Sequence, residues 1–174
     1  MHLILIRHAI AADRSDFESS DDLRPLTEEG KKKMQRAARG LRVAVPSIEL
    51  LATSPLVRAV ATGAILEEAY SDQRPRPDVR EVDELRPGAE PDELLAWLDL
   101  QTADPIALVG HEPDLSELLS RLVGAGRPFH RFRKGGTVCV AFPGRVEAGA
   151  GTLSWVLSPG LLRELGSSKK EGGR

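Results

Sequence analysis

Leu3-Ile4-Leu5-Ile6 and Ile106-Ala107-Leu108-Val109 are two uninterrupted apolar runs. Each is followed at once by polar residues with chemistry to offer, Arg7-His8 after the first and Gly110-His111-Glu112 after the second. A strand with one wet face alternates apolar and polar residues, whereas a strand covered on both faces reads as a continuous run. Both runs therefore predict central strands of a sheet with helices on either side.

The sequence outward from these runs supports that architecture. Residues 13–22 are polar and rich in Ser and Asp, and read as a loop. Thr27 reads as a helix N-cap, with Glu28 and Glu29 favourably placed in the first turn. Met34, Ala37, Ala38 and Leu41 follow at helical spacing and give that helix a buried stripe. A short strand is expected at residues 50–52. Ser54 then caps a second helix, Pro55 takes its first position, and the helix runs to about Tyr70. A proline-broken loop leads to an extended piece at residues 79–82. Pro91 opens a third helix with Leu94, Leu95 and Leu98 on one side. A fourth starts near Pro113, buries Leu115, Leu118, Leu119 and Leu122, and ends at Gly124 and Gly126. Two strands at 136–142 and 152–157 form an antiparallel edge. The alternation predicts an α/β fold, a three-layer α/β/α sandwich with a mostly parallel sheet. One domain covers residues 1–165, and the Gly/Ser/Lys-rich residues 166–174 read as a flexible tail.

Composition narrows the function classes. The 174 residues are 41% apolar and 29% charged, enough for one domain with a substantial core. A net charge of −2 gives no bulk argument for nucleic-acid binding. The single cysteine, Cys139, sits in an apolar run and reads as a small buried hydrophobe. No apolar run approaches the ~20 residues of a membrane span, and the short apolar start is cut off by Arg7. A cytoplasmic location is expected. There is no His-x-x-x-His, Cys-x-x-Cys, Gly-x-Gly-x-x-Gly or P-loop pattern, so neither metal nor cofactor is expected. His2 and His130 read as structural or solvent-facing. Lys31-Lys32-Lys33 reads as a solvated face, and so does Arg131-Phe132-Arg133-Lys134, with a place near the pocket as its alternative.

In open α/β sheets, ligands bind beyond the carboxyl ends of the strands. Arg7 and His8 follow the first strand, Ser54 and Arg58 the second, and Glu81, Asp83 and Glu84 the third. Gly110, His111 and Glu112 follow the fourth. Arginines offer forked donors to phosphate oxygens. A neutral imidazole can carry a phosphoryl group, and a second histidine can stabilise its charge. A carboxylic acid can protonate a leaving group, and a carboxylate can activate water. Arg58 is informative, because it stands in the first turn of its helix, where a cation opposes the dipole unless an anion binds there. Duller readings remain for each residue: His8 as a buried strand-end histidine, His111 as part of a turn, and Ser54 as a cap only.

Three segments carry a resemblance. Arg7-His8-Ala9 resembles the Arg-His-Gly signature of the histidine phosphatase superfamily, which includes the phosphoglycerate mutases. Ser54-Pro55-Leu56-Val57-Arg58-Ala59-Val60-Ala61-Thr62 resembles its Ser-Pro-x-x-Arg-Ala-x-x-Thr segment, and Gly110-His111-Glu112-Pro113 its second-histidine segment. Leu23-Arg24-Pro25-Leu26-Thr27 and Asp83-Glu84-Leu85-Arg86-Pro87 are similar to stretches of the short SixA-type phosphohistidine phosphatases. The resemblance implies a phosphoglycerate mutase-like fold and a covalent phosphohistidine on His8. It implies phosphate binding by Arg7, Arg58 and Ser54, with His111 completing the pocket and the Glu112 backbone N–H as a further donor. Glu84 takes the position of the proton donor, with Glu81 as the alternative. Ala9 replaces the usual glycine, and Arg14 stands where the superfamily usually has Asn.

The gaps between strands are short and leave little room for a helical cover. An uncovered pocket suits a phosphorylated protein, with small phosphomonoesters as the first alternative. A non-catalytic phosphate-binding module is the second, and a mutase the third.

Overall fold

The computed structural model describes residues 1–167. Its strands are β1 (His2–Arg7), β2 (Leu50–Thr53), β3 (Asp78–Glu81), β4 (Ile106–Gly110), β5 (Thr137–Ala141) and β6 (Thr152–Leu157). They form one sheet in the order β3-β2-β4-β1-β5-β6. The first four of that order pair in parallel, while β5 runs antiparallel to β1 and β6 antiparallel to β5. The helices are α1 (Glu28–Ala44), α2 (Val57–Ala69), α3 (Pro91–Asp99), α4 (Asp114–Leu122) and α5 (Pro159–Leu165).

The apolar runs are explained by where their side chains go. Leu3 and Leu5 of β1, with Ile106 and Leu108 of β4, face the layer that holds Leu94 and Leu98 of α3 and Leu115, Leu118 and Leu119 of α4. Ile4 and Ile6, with Ala107 and Val109, face Met34, Ala38 and Leu41 of α1, Ala59 and Leu66 of α2, and Leu162 of α5. Each of these runs feeds two cores, so none of its four positions can be polar. The sheet edge at β3 is the opposite case: its four residues, Asp-Val-Arg-Glu, are all exposed, and charge on an edge discourages pairing with another chain. Cys139 of β5 is buried and free, and burial raises its thiol pKa.

Local signals place the elements. The Thr27 hydroxyl accepts the N–H of Gly30 at 2.9 Å, the capping bond expected of it. Gly124 ends α4 with φ +70°, a conformation that favours glycine. Two features differ from the sequence reading. Ser54 does not cap α2, which starts at Val57 with Leu56 in the cap position. Leu56 is still extended (ψ 136°), so the helix begins three residues after Ser54, whose hydroxyl instead accepts the Leu56 N–H at 3.4 Å and keeps room for a further partner. Helix α5 is the second difference, since the sequence pattern gives no helix there. Gly166 and Ser167, which read as tail, are held in place: Gly166 donates to the Leu162 carbonyl and Ser167 bonds Arg36 and Arg163. Residues 168–174 of that tail lie outside the described residues.

Candidate active site

The ladder bonds continue past the strand ends and set the site residues side by side. Arg7 is in register with Gly110. Beyond them His8 donates its backbone N–H to the Gly110 carbonyl at 3.1 Å, and Ser54 donates to the Val109 carbonyl at 3.0 Å. Val82, just before Asp83 and Glu84, donates to the Thr53 carbonyl at 2.9 Å. The carboxyl ends of β1, β2, β3 and β4 thus form one rim.

His8 is 5% exposed. Its Nδ1 lies 2.7 Å from the Ala9 carbonyl, which can only accept, so Nδ1 carries the proton. Nε2 is left with its lone pair. Burial, opposed by that hydrogen bond and aided by the charges of His111, Arg58 and Arg7, lowers the His8 pKa to about 3. His8 is therefore a neutral imidazole across the physiological range. The His111 ring stands 5.1 Å away, centroid to centroid, and is 3% exposed. Its pKa is lowered to about 4, first by burial and then by Arg58. Its Nε2 meets the Ser54 hydroxyl at 2.8 Å, and its Nδ1 is buried without a partner.

Both arginines are tied down on one side and open on the other. Arg7 donates to the Phe132 carbonyl at 2.7 Å, and its Nε is buried without a partner. Arg58 donates to the Asp21 carbonyl at 2.7 Å and to the Asp21 carboxylate at 2.9 Å, and its Nε is likewise unpartnered. Burial lowers the pKa of each guanidinium, and Glu112 and Asp21 respectively oppose that. Three orphaned nitrogens thus accompany one free imidazole lone pair. Forked cationic donors around a nucleophile are what a tetrahedral oxyanion requires.

Glu84 is partly exposed and lines a cleft with Gly110 and His111. Glu81 is exposed on β3. No backbone bond among the described residues engages the N–H of Glu112, while its carboxylate accepts the Phe132 N–H at 2.9 Å and meets the Ser116 hydroxyl. Ala9 is not in the left-handed region, since among the described residues only glycines have positive φ. A glycine is not needed there. Arg14 is exposed, 3.7 Å from Asp21. His2 is exposed beside Asp104, and His130 packs edge-on against Phe132. The stretch 131–134 is not simply a solvated face. Arg131, Arg133 and Lys134 are exposed, but Phe132 is buried and its backbone ties together Arg7 and Glu112.

Sequence reasoning missed Asp21, which also accepts from Arg24 at 2.9 Å, and gave no role to Thr62. The Thr62 hydroxyl accepts the Ala9 N–H at 3.0 Å and donates to the Arg58 carbonyl at 2.7 Å, joining the segment after β1 to the first turn of α2.

A profile described as histidine phosphatase superfamily (branch 1) matches residues 3–141. The chain belongs to the histidine phosphatase superfamily. Its fold is the phosphoglycerate mutase-like α/β fold of that superfamily. An uncharacterised protein of Picosynechococcus sp. (strain PCC 7002) is 40% identical over 120 residues, 67% of this chain and 70% of that protein. The structure of the protein histidine phosphatase SixA complexed with tungstate matches with TM-score 0.78 and 27% identity, covering 93% of this chain and 99% of that one. The α-ribazole phosphatase of Shigella flexneri (TM-score 0.68, 21% identity, 91% and 97% covered) shares the fold. So does the phosphoserine phosphatase of Entamoeba histolytica (0.64, 15%, 90% and 96%). Among the described residues, no group of His, Cys, Asp and Glu side chains is arranged to hold a metal, and no helix is long and apolar enough to cross a membrane.

Proposed function

We propose that this protein is a SixA-type phosphohistidine phosphatase that dephosphorylates proteins through a covalent intermediate on His8. One observation carries the reading: Arg7 Nε, Arg58 Nε and His111 Nδ1 are buried without partners beside a histidine locked in the nucleophilic tautomer. Ser54 donates its hydroxyl proton to His111 Nε2, so His111 Nδ1–H becomes a third donor to the phosphoryl oxygens. The Nε2 lone pair of His8 attacks phosphorus. The bond from phosphorus to the substrate breaks, and its electron pair leaves with the substrate. Arg7, Arg58, His111 and the Glu112 backbone N–H hold the oxygens as their charge redistributes. Water then attacks the phosphoryl group, giving a proton to Glu84, and the P–Nε2 electron pair returns to His8. The Nδ1 proton stays directed at the Ala9 carbonyl throughout. In this reading all charge stabilisation comes from side chains and backbone, without metal or cofactor.

A protein substrate is supported by the likeness to SixA, whose tungstate is a tetrahedral oxyanion like phosphate. It is also supported by an open groove of about 900 Å³ beside Arg7, bordered by Phe129, His130 and Arg131. Among the described residues, all five helices bury residues against the sheet, which leaves none of them as a cover for a small substrate. The single buried cysteine suits a cytoplasmic setting. The test is mass spectrometry after brief mixing with a phosphorylated histidine donor and quenching without acid. The wild-type protein gains one phosphoryl group on His8, and His8→Ala gains none. Turnover that survives His8→Ala removes the mechanism. Faster turnover of small esters than of any phosphohistidine protein replaces the substrate class with phosphomonoesters.

A further inference from the structure

Beside His111, on the α3–α4 side of the rim, lies a separate shallow cleft. Its floor is apolar and buried, with Leu85, Leu94 and Leu115 each less than 7% exposed. Glu84 and Asp114 supply its polar groups. Arg86, the cation that also lines it, is committed to Asp22 and Asp83. Asp114 is half-used: it accepts the Gly88 N–H at 2.9 Å through Oδ1, while Oδ2 is buried with no partner. A buried carboxylate oxygen without a donor is costly, and such a group points to a missing donor. His111 lines the same cleft, and its side chain is nine-tenths buried with Nδ1 unsatisfied.

The missing partner must be flat enough for a shallow apolar cleft, carry a hydrogen-bond donor, and adjoin a phosphoryl group held by His111. A phosphorylated imidazole has all three properties. One ring nitrogen bears phosphorus, the other becomes an N–H donor when the ring is protonated, as it is beside a carboxylate, and the ring has two apolar faces. Phosphoserine lacks the ring, and phosphotyrosine lacks the N–H.

Building on the phosphohistidine reading above, we propose that this cleft is the leaving-group subsite, in which the substrate imidazole lies over Leu85, Leu94 and Leu115 and gives its N–H to Asp114 Oδ2. The subsite has a chemical purpose. When His8 Nε2 forms its bond to phosphorus, the P–N bond of the substrate breaks and its electron pair returns to the ring nitrogen. If the other ring nitrogen carries a proton, the ring leaves as neutral imidazole; if not, it must leave as an anion. A carboxylate facing that nitrogen keeps the proton in place, and the departing ring retains it. Asp114 is a substrate-binding residue that makes the nitrogen a good leaving group without any proton transfer during the step.

The experiment compares wild type and Asp114→Asn on N-phosphoimidazole and on p-nitrophenyl phosphate, which has a ring but no N–H. Asparagine keeps the acceptor for Gly88 and replaces Oδ2 with a donor. The ratio of kcat/KM for phosphoimidazole over the ester falls about tenfold or more in the variant. The high-pH limb for phosphoimidazole also moves to lower pH, which a purely structural defect does not produce. A ratio within twofold of wild type, or an unmoved limb, overturns the subsite while leaving the phosphohistidine reading intact. A wild-type protein that hydrolyses the ester but not phosphoimidazole overturns both. Should the variant not fold, product inhibition of the wild type decides. Imidazole inhibits about tenfold more strongly than 1-methylimidazole if the N–H is read, and equal inhibition rejects the proposal.

Discussion

Arg58 is a cation in the first turn of α2, where an unpaired positive charge opposes the helix dipole. Its side chain is 4% exposed, and Asp21 is its ion-pair partner at 2.9 Å. Removing one member of a buried pair strands the other. Asp21→Ala therefore destabilises the protein by about 2–4 kcal/mol, the lower part of that range reflecting the partial exposure of Asp21. Urea unfolding of the variant checks this; a loss below about 0.5 kcal/mol means that Arg58 finds solvent or another partner. The chain signals Arg58, His8 and His111 because each follows a strand or opens a helix in its own short segment. Asp21 carries no such signal. It lies in a polar loop and matters only because the fold brings it to a residue 37 positions away. Thr62 is similar, reaching Ala9 across 53 positions.

Between elements, the tightest packing is where α1 meets α5. A Cβ on Gly40 would stand 1.8 Å from the Leu162 carbonyl oxygen, which is backbone and cannot step aside. Gly40→Ala gains helix propensity of about 1 kcal/mol but must push α5 away, and overpacking of this kind costs about 1–3 kcal/mol or more. The expected result is a lower thermal midpoint, with the α5 amides losing hydrogen-exchange protection before the rest. Uniform protection across the molecule would mean that the clash is absorbed elsewhere. Helix α5 itself is illegible in the chain. It is seven residues long, begins Pro-Gly-Leu-Leu, and buries only Leu162 fully, so it offers too few turns for a periodic pattern. The four parallel strands and α1 to α4 are legible, since β1 and β4 need apolar residues on both faces and α1 and α4 carry long stripes on one. The place of Ser54 is easily misread, because Ser-Pro looks like a cap and first position, whereas Leu56 stays extended and the helix begins only at Val57.

At the scale of the whole molecule, the site opposes the stability of the fold in acid. His8 and His111 have ordinary pKa values of 6.5, lowered in the folded protein to about 3 and about 4. The unfolded chain binds protons at these positions below pH 6.5 while the folded chain does not. Stability from this pair is therefore complete above pH 6.5 and falls as pH drops toward 4 and then 3. Each tenfold loss of proton affinity on folding corresponds to about 1.4 kcal/mol, so the two histidines together account for a few kcal/mol. Thermal unfolding followed from pH 7 to pH 4 shows this slope, and His8→Asn reduces it; a variant with the wild-type slope places the acid sensitivity in the carboxylates. The same burial keeps His8 neutral at pH 5, the state that the proposed mechanism needs.

Cys139, the one cysteine in the chain, lies in β5 between β1 and β6, inside the sheet that holds the site together. The unaltered protein thus comes with a built-in chemical clock. A thiol-reactive dye in solution can label it only when the sheet opens. The labelling rate, with and without a bound oxyanion, reports how strongly ligand binding at the rim restrains breathing in the centre.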